Sequence, residues 1–139
     1  MQPESAIEEV TAWIRKAESD LKNIELVLPA PDAPLDTVCF HAQQAAEKYL
    51  KALLTFHSIP FRKTHDLPEL VLLLPRDSLV PPAVGDLTKL TYAAVALRYP
   101  SSPTETEYDR WVAEDMVRQA YTVRTAVRDD LALQGYIPK

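Results

Sequence analysis

Three histidines and a few basic residues are the side chains of this sequence best suited to chemistry. The histidines, His41, His57 and His65, have neither the HExxH spacing nor another spacing typical of metal ligands. The chain also has no CxxC pair, no glycine-rich phosphate loop and no serine in a GxSxG context. These features argue against a metal centre, a bound cofactor, a P-loop nucleotide site and nucleophilic catalysis.

The basic residues Arg62, Lys63, His65 and Arg98 fall in connections at the ends of predicted helices, where they can form a small cationic pocket. Arginine suits phosphate because its planar guanidinium group makes two parallel hydrogen bonds to the phosphate oxygens. We expect Arg98, next to Tyr99, to be the principal anchor of a phosphate-bearing ligand. His65 and either Arg62 or Lys63 would assist it.

The same residues also have purely structural interpretations. Arg98 at a helix C-terminus interacts favourably with the helix dipole. His65 can brace a loop beside Asp66, whose side chain is placed to cap a short helix. His41 lies at the edge of an apolar helix face, where it can either hydrogen-bond to a neighbouring helix or contact a ligand. The sequence leaves both interpretations open.

The element that must position these residues is a long helix predicted from Asp36 to Ser58. Its apolar residues cover roughly 200° of the helical wheel, about twice the stripe of a helix with one neighbour. Four alanines in this segment let neighbouring helices approach closely. We therefore expect a central helix with partners on two sides. Its narrower polar arc holds Gln43, Gln44, Glu47, Lys48 and Lys51.

Further apolar segments at helical spacing predict a bundle around this helix. They cover residues 7–28, 67–74, 81–97 and 108–131, and Gly135 is placed to end the last one. All 12 prolines lie outside these segments or in their first turns, and no segment alternates like a strand. The prediction is one all-α domain over residues 1–139, an up-and-down four-helix bundle with an additional short helix.

Composition limits the classes of function. The chain has 139 residues, 47% hydrophobic residues and a net charge of −5, enough to bury a core without a metal or disulfide. The acidic balance argues against a free-standing nucleic-acid binder. No apolar run approaches the ~18 residues of a membrane helix. The single Cys39 and an acidic start that lacks the order of a signal peptide predict a cytoplasmic protein.

Five segments carry a family resemblance. Residues 13–21 (WIRKAESDL) are similar to the opening helix of small prokaryotic HEPN-domain proteins, and residues 40–48 (FHAQQAAEK) with 50–54 (LKALL) to their central helix. Residues 65–67 and 98–100 also match the family pattern. The family takes its name from nucleotide binding in higher eukaryotes and prokaryotes, and the resemblance covers nearly the whole chain.

The resemblance implies a bundle that is commonly a homodimer and is often encoded beside a minimal nucleotidyltransferase as a toxin–antitoxin-like pair. Many members resemble metal-independent ribonucleases that use an arginine and a histidine separated by four to six residues. This chain departs from that motif, because Pro103, Thr104 and Glu105 stand where the histidine after Arg98 is expected. The usual catalytic route of the family is therefore not expected here.

Three functions follow from these observations. The first is a non-catalytic binding module that forms a homodimer and associates with a nucleotidyltransferase, a nucleotide or RNA. The alternative is an atypical ribonuclease in which His65 or His41 acts with Arg98. The third is a purely structural dimer without a ligand. Dimerisation is predicted from three aromatic residues that lie away from the main apolar stripes, Phe40, Trp111 and Tyr121.

Overall fold

The computed structural model describes residues 3–96 and 108–138, and six helices make up most of this part of the chain. They are α1 (Glu4–Val27), α2 (Leu35–Phe56), α3 (Leu67–Leu72), α4 (Val80–Val84), α5 (Thr88–Ala96) and α6 (Arg110–Leu133). The two described ranges contain no strand, so the all-α prediction is confirmed. Each helix in these ranges is too short or too polar to span a lipid bilayer.

Helix α2 is the centre of the bundle. It packs along α1 and also contacts α3, α5 and α6. Ala42, Ala45, Ala46 and Ala52 have no exposed surface, and their small side chains leave room for these neighbours. The sequence prediction of a central helix with partners on more than one side is confirmed.

The C-terminal end of α2 folds back through a Schellman motif. The N–H of Ile59 donates to the carbonyl of Leu54 at 2.9 Å, and the N–H of Ser58 donates to that of Thr55 at 3.0 Å. Ser58 has a φ of 56°, in the left-handed region that suits glycine. Helix α6 ends with the same pattern, but there Gly135, with a φ of 84°, occupies the left-handed position as predicted.

The fourth helix predicted over residues 81–97 is divided into two. Helix α4 ends at Gly85, whose φ of 63° cannot continue a right-handed helix. Asp86 then starts a new helix, because its Oδ1 accepts from the N–H of Thr88 at 2.9 Å and from the Thr88 hydroxyl at 2.6 Å. Leu87 and Leu90 are both buried and continue the apolar spacing across the break. Because the apolar spacing continues, the sequence pattern does not reveal the break at Gly85.

Helix α6 begins at Arg110, inside the predicted range. Asp109 is its N-cap and accepts from the N–H of Val112 at 2.8 Å. Arg110 donates to the carbonyls of Leu28 and Ala30, each at 2.8 Å. The first residue of α6 therefore satisfies carbonyl groups at the end of α1 and ties the two helices together.

Candidate functional site

His65 lies in the connection between α2 and α3, and its ring is held by α2. Its Nδ1 is 2.7 Å from Oε1 of Glu47. The Glu47 side chain is 6% exposed, whereas the His65 side chain is 39% exposed. Because an ionised carboxylate only accepts, Nδ1 carries a proton and donates it to this bond, and the neutral ring keeps its lone pair on Nε2. A buried acid thus orients a partly exposed imidazole.

Glu47 is the centre of a larger polar group on α2. Gln43 Nε2 donates to Glu47 Oε1 at 3.1 Å and to the carbonyl of His65 at 3.0 Å. Lys51 Nζ donates to Glu47 Oε2 at 3.0 Å. We call Gln43, Glu47, Lys51 and His65 the Glu47 cluster. Its bonds hold both the ring and the backbone of His65, so the connection has a fixed position on α2.

The ammonium group of Lys51 is enclosed by aromatic rings as well as by the carboxylate of Glu47. Its Nζ lies 5.7 Å from the ring centroid of Trp13 and 5.6 Å from that of Phe61. The two rings pack edge to face, with centroids 6.5 Å apart. These contacts are close enough for cation–π attraction. The Glu47 cluster is therefore covered by α1, through Trp13, and by the connection after α2, through Phe61.

Arg62 and Lys63 precede His65 in this connection, and both are exposed. The guanidinium of Arg62 forms a bidentate pair with Glu69 on α3, because Nη2 donates to Oε1 at 2.6 Å and Nε donates to Oε2 at 3.0 Å. The hydrogen bonds and charge of Glu69 raise the pKa of Arg62. Arg62 is thus bound to an acid of its own chain, while Lys63 lies at the surface.

His41 belongs to a separate group at the contact between α1 and α2. Its Nδ1 is 2.8 Å from Oδ1 of Asp20, and Lys48 Nζ is 2.6 Å from Oδ2 of the same residue. We call Asp20, His41 and Lys48 the Asp20 cluster. Of the two interpretations of His41, the structure shows the hydrogen bond to a neighbouring helix. The structure therefore places His41 and His65 on two different carboxylates.

Arg98 and Tyr99, the predicted principal anchor and its neighbour, lie outside the described residues. Helix α5, which precedes them in the sequence, is attached to the start of α3 because Thr91 Oγ1 accepts from the N–H of Leu67 at 3.1 Å. Asp66 caps α3 as predicted, accepting from the N–H of Glu69 at 3.2 Å.

The sequence interpretation missed the Glu47 cluster. It assigned Gln43, Glu47 and Lys51 to the polar arc of α2, but the structure leaves these residues only 0%, 4% and 8% exposed. The sequence did contain a signal for this burial. An apolar arc of roughly 200° implies neighbouring elements on both sides of α2, and these neighbours also cover the polar arc that lies between them. The three residues follow at intervals of four, which places them on one helix face.

A third polar group links α1, α2 and α6. Glu18 Oε1 accepts from Arg124 Nε at 3.1 Å and from Arg128 Nη1 at 3.0 Å. Burial alone would raise the pKa of Glu18, but hydrogen bonds from Arg124 and Tyr49 and the charges of Arg124 and Arg128 outweigh it and lower the pKa. Burial raises the pKa of Tyr49 to about 12. In this group one carboxylate is bonded to two guanidinium groups of α6, so it ties α1 to α6.

Comparison with known proteins identifies the class of this bundle. A family model described as "HEPN domain" matches residues 10–130. The crystal structure of TT1696 from Thermus thermophilus is similar, with a TM-score of 0.76 and 28% sequence identity over 89% of this chain and 99% of that one. No curated protein matches the chain. The fold is that of a nucleotide- or RNA-associated helical module, and the chain belongs to the HEPN domain family.

Proposed function

We propose that this HEPN domain binds a nucleotide or a segment of RNA through Arg62, Lys63 and His65, together with Arg98 and Tyr99. The observation that supports this proposal is the partly exposed imidazole of His65, fixed through Nδ1 by a buried carboxylate. A ring held in this way presents Nε2 in a defined direction and can donate to a phosphate oxygen when it is protonated.

Two exposed cations near this ring also suit an anionic ligand. Lys63 is exposed, and Asp66 directs its carboxylate to the backbone N–H of Glu69 at the start of α3. Arg62 is paired with Glu69, but exposed ion pairs contribute little to stability. A phosphate group can therefore take the place of Glu69 on the Arg62 guanidinium. Arg62 and Lys63 are thus two exposed cations in this loop, on a chain whose net charge is −5.

Fluorescence anisotropy with a labelled mixed-sequence RNA and with labelled nucleotides tests this proposal. Arg98→Ala should weaken binding by about one to two decades, as expected for loss of charge-assisted bonds worth roughly 1.5–3 kcal/mol. Arg76→Ala, at an exposed arginine outside this loop, is the matched control and should bind as the parent does. A destabilised Arg98→Ala variant with unchanged affinity would make Arg98 a structural residue. A parent protein that binds none of these probes would favour the purely structural dimer.

The pairing of His65 with Glu47 supports a second candidate, an atypical metal-independent ribonuclease. A carboxylate that holds Nδ1–H leaves Nε2 able to take a proton from a ribose hydroxyl. Arg98 would stabilise the developing charge on the phosphate. His41 has a similar bond to Asp20 and is the other candidate base. Purified protein incubated with mixed RNA and a metal chelator should produce cleavage that His65→Ala abolishes, and cleavage that persists in this variant argues against His65 as the base.

We also propose that the protein is a homodimer. Trp111 at the start of α6 is 76% exposed and Tyr92 on α5 is 63% exposed, and large aromatic side chains of this kind are enriched in protein interfaces. Light scattering should give about twice the chain mass of 15.6 kDa. Trp111→Lys should shift this mass towards the monomer, while Leu133→Lys, at an equally exposed apolar residue of the same helix, should not.

The family resemblance supports a minimal nucleotidyltransferase as the protein partner, in a toxin–antitoxin-like pair. A gene for such an enzyme directly beside the gene of this protein, and co-purification of the two products, are the expected results. A gene that stands alone, with no complex formed by a purified minimal nucleotidyltransferase, would contradict this part of the proposal.

A further inference from the structure

A cavity of about 570 Å³ lies between α1, the C-terminal end of α6 and the segment that follows α6. None of the residues that line it belongs to the Glu47 cluster or the Asp20 cluster. Its volume lies within the range of small-molecule sites, ~300–1,000 Å³. We call it the Tyr136 cavity. Its apolar lining comes from Ile14, Leu131, Ala132, Tyr136 and Pro138.

The segment that forms the outer wall of this cavity is held by one tyrosine. Thr11 Oγ1 donates its single proton to the carbonyl of Ile7 at 2.9 Å. The 2.7 Å bond between Thr11 Oγ1 and Tyr136 Oη therefore has the Tyr136 hydroxyl as its donor. The Tyr136 ring also packs edge to face on Phe56, with centroids 6.3 Å apart. The wall is thus anchored on α1 and α2.

Charged groups line the same cavity. They are Arg15 on α1 and Arg128 and Asp129 on α6, and Arg128 is also paired with Glu18 at 3.0 Å. The described hydrogen bonds of Arg128 to Glu18 and Tyr49 use only Nη1, and its side chain is 47% exposed. Within the described part of the chain, the other N–H groups of Arg128 are therefore available beside the cavity.

We propose that the Tyr136 cavity binds a small aromatic monocarboxylic acid. The apolar body would occupy the space between α1 and α6, and the carboxylate would accept hydrogen bonds from Arg128 with the charge of Arg15 in support. Because Glu18 already pairs with Arg128, a singly charged group suits this site better than a phosphate monoester, which carries about −1.5 to −2. This site is independent of the one proposed for nucleotide or RNA.

Calorimetry and amide NMR with naphthoate as the probe test this proposal. Naphthoate should bind about ten-fold more tightly than neutral naphthol, as expected for one charge-assisted interaction. It should shift the amide signals of Ala132 and Tyr136. Equal binding of naphthol and naphthoate, tighter binding of naphthyl phosphate, or shifts centred on an exposed residue such as Trp111 would overturn the proposal.

Two variants locate the site. Ala132→Phe fills the cavity from an exposed position on α6 and should abolish naphthoate binding while leaving the charges intact. Arg128→Gln should weaken binding by about ten-fold. Arg118→Gln is the matched control, because this arginine is on the same helix, pairs with Asp115 and lies outside the cavity.

Since Ala132 has no role in the Glu18 contacts, its variant keeps the test decisive even if Arg128→Gln fails to fold. Parental naphthoate affinity in Ala132→Phe would overturn the proposal. RNA affinity measured on the same variant separates the two sites, because it should be unchanged whether or not naphthoate binds.

Discussion

The Asp20 cluster and the Glu47 cluster have the same chemistry but different positions in the bundle. In each, one oxygen of a buried carboxylate bonds to histidine Nδ1 and the other to a lysine ammonium group. The carboxylate of the Asp20 cluster comes from α1, and its partners from α2. In the Glu47 cluster the carboxylate and the lysine are both on α2, while His65 comes from a connection.

This difference shows how one arrangement serves two purposes. The Asp20 cluster joins two helices that already pack along their length. The Glu47 cluster instead orients a segment without regular structure, and its histidine side chain is more exposed, 39% against 25% for His41. A rigid helix that positions an exposed imidazole is the arrangement expected of a binding site. The Glu47 cluster is therefore the better functional candidate.

The largest expected effect comes from removing the centre of the Glu47 cluster. Glu47→Ala leaves the ammonium of Lys51 without its carboxylate, although that side chain is only 10% exposed. It also removes partners of Gln43 and His65. Loss of one member of a buried ion pair costs about 3–5 kcal/mol, which urea denaturation should detect. The control Glu114→Ala, at an exposed glutamate of α6, should stay near parental stability.

Asp20→Ala should cost less, about 1–3 kcal/mol of unfolding free energy. The partners it leaves behind can reach water more easily, because the side chains of Lys48 and His41 are 20% and 25% exposed. The same denaturation experiment compares the two variants directly. Equal losses for Asp20→Ala and Glu47→Ala would show that the two clusters do not differ as proposed.

A third carboxylate, that of Glu18, is more exposed than the carboxylates of the two clusters, since its side chain is 34% exposed. Its pKa is lowered in the folded state, so the deprotonated form stabilises the protein. This stabilisation is present above the ordinary value of 4.5 and is lost as pH falls through the lower folded pKa. As the pH falls below 4.5, the melting temperature of the parent should therefore decrease more steeply than that of Glu18→Gln. Parallel pH profiles would contradict this assignment.

The smallest effect concerns the start of the connection that carries His65. Ser58 has a φ of 56°, so Ser58→Gly should relieve backbone strain and raise the unfolding free energy by about 1 kcal/mol. The greater entropy of glycine in the unfolded chain offsets part of this gain. Thermal melting measures the change. Gly135→Ser, at the equivalent position after α6, should have the opposite sign, and a loss of stability in Ser58→Gly would refute the strain argument.

The fold was more predictable from the sequence than the site. Long helices with one periodic apolar stripe, such as α1 and α6, can be located because burial and spacing agree along many turns. The break at Gly85 was missed, since Leu87 and Leu90 continue the apolar spacing beyond it. The Glu47 cluster was missed for another reason. A helical wheel shows which face of a helix is polar, but not which distant segment packs on that face, and one partner of Glu47 is His65 in the connection after α2.

The clamp that Arg110 makes on the end of α1 has a consequence for the order of folding. Its two hydrogen bonds join residues 82 and 80 positions apart, whereas α1 and α2 are joined by a short connection. Closing a long loop costs more chain entropy than closing a short one, so we expect the α1–α2 hairpin to form first and α6 to dock later. Arg110→Ala should then accelerate unfolding more than it slows refolding in stopped-flow experiments. A mainly slower refolding rate would place this clamp in the folding nucleus.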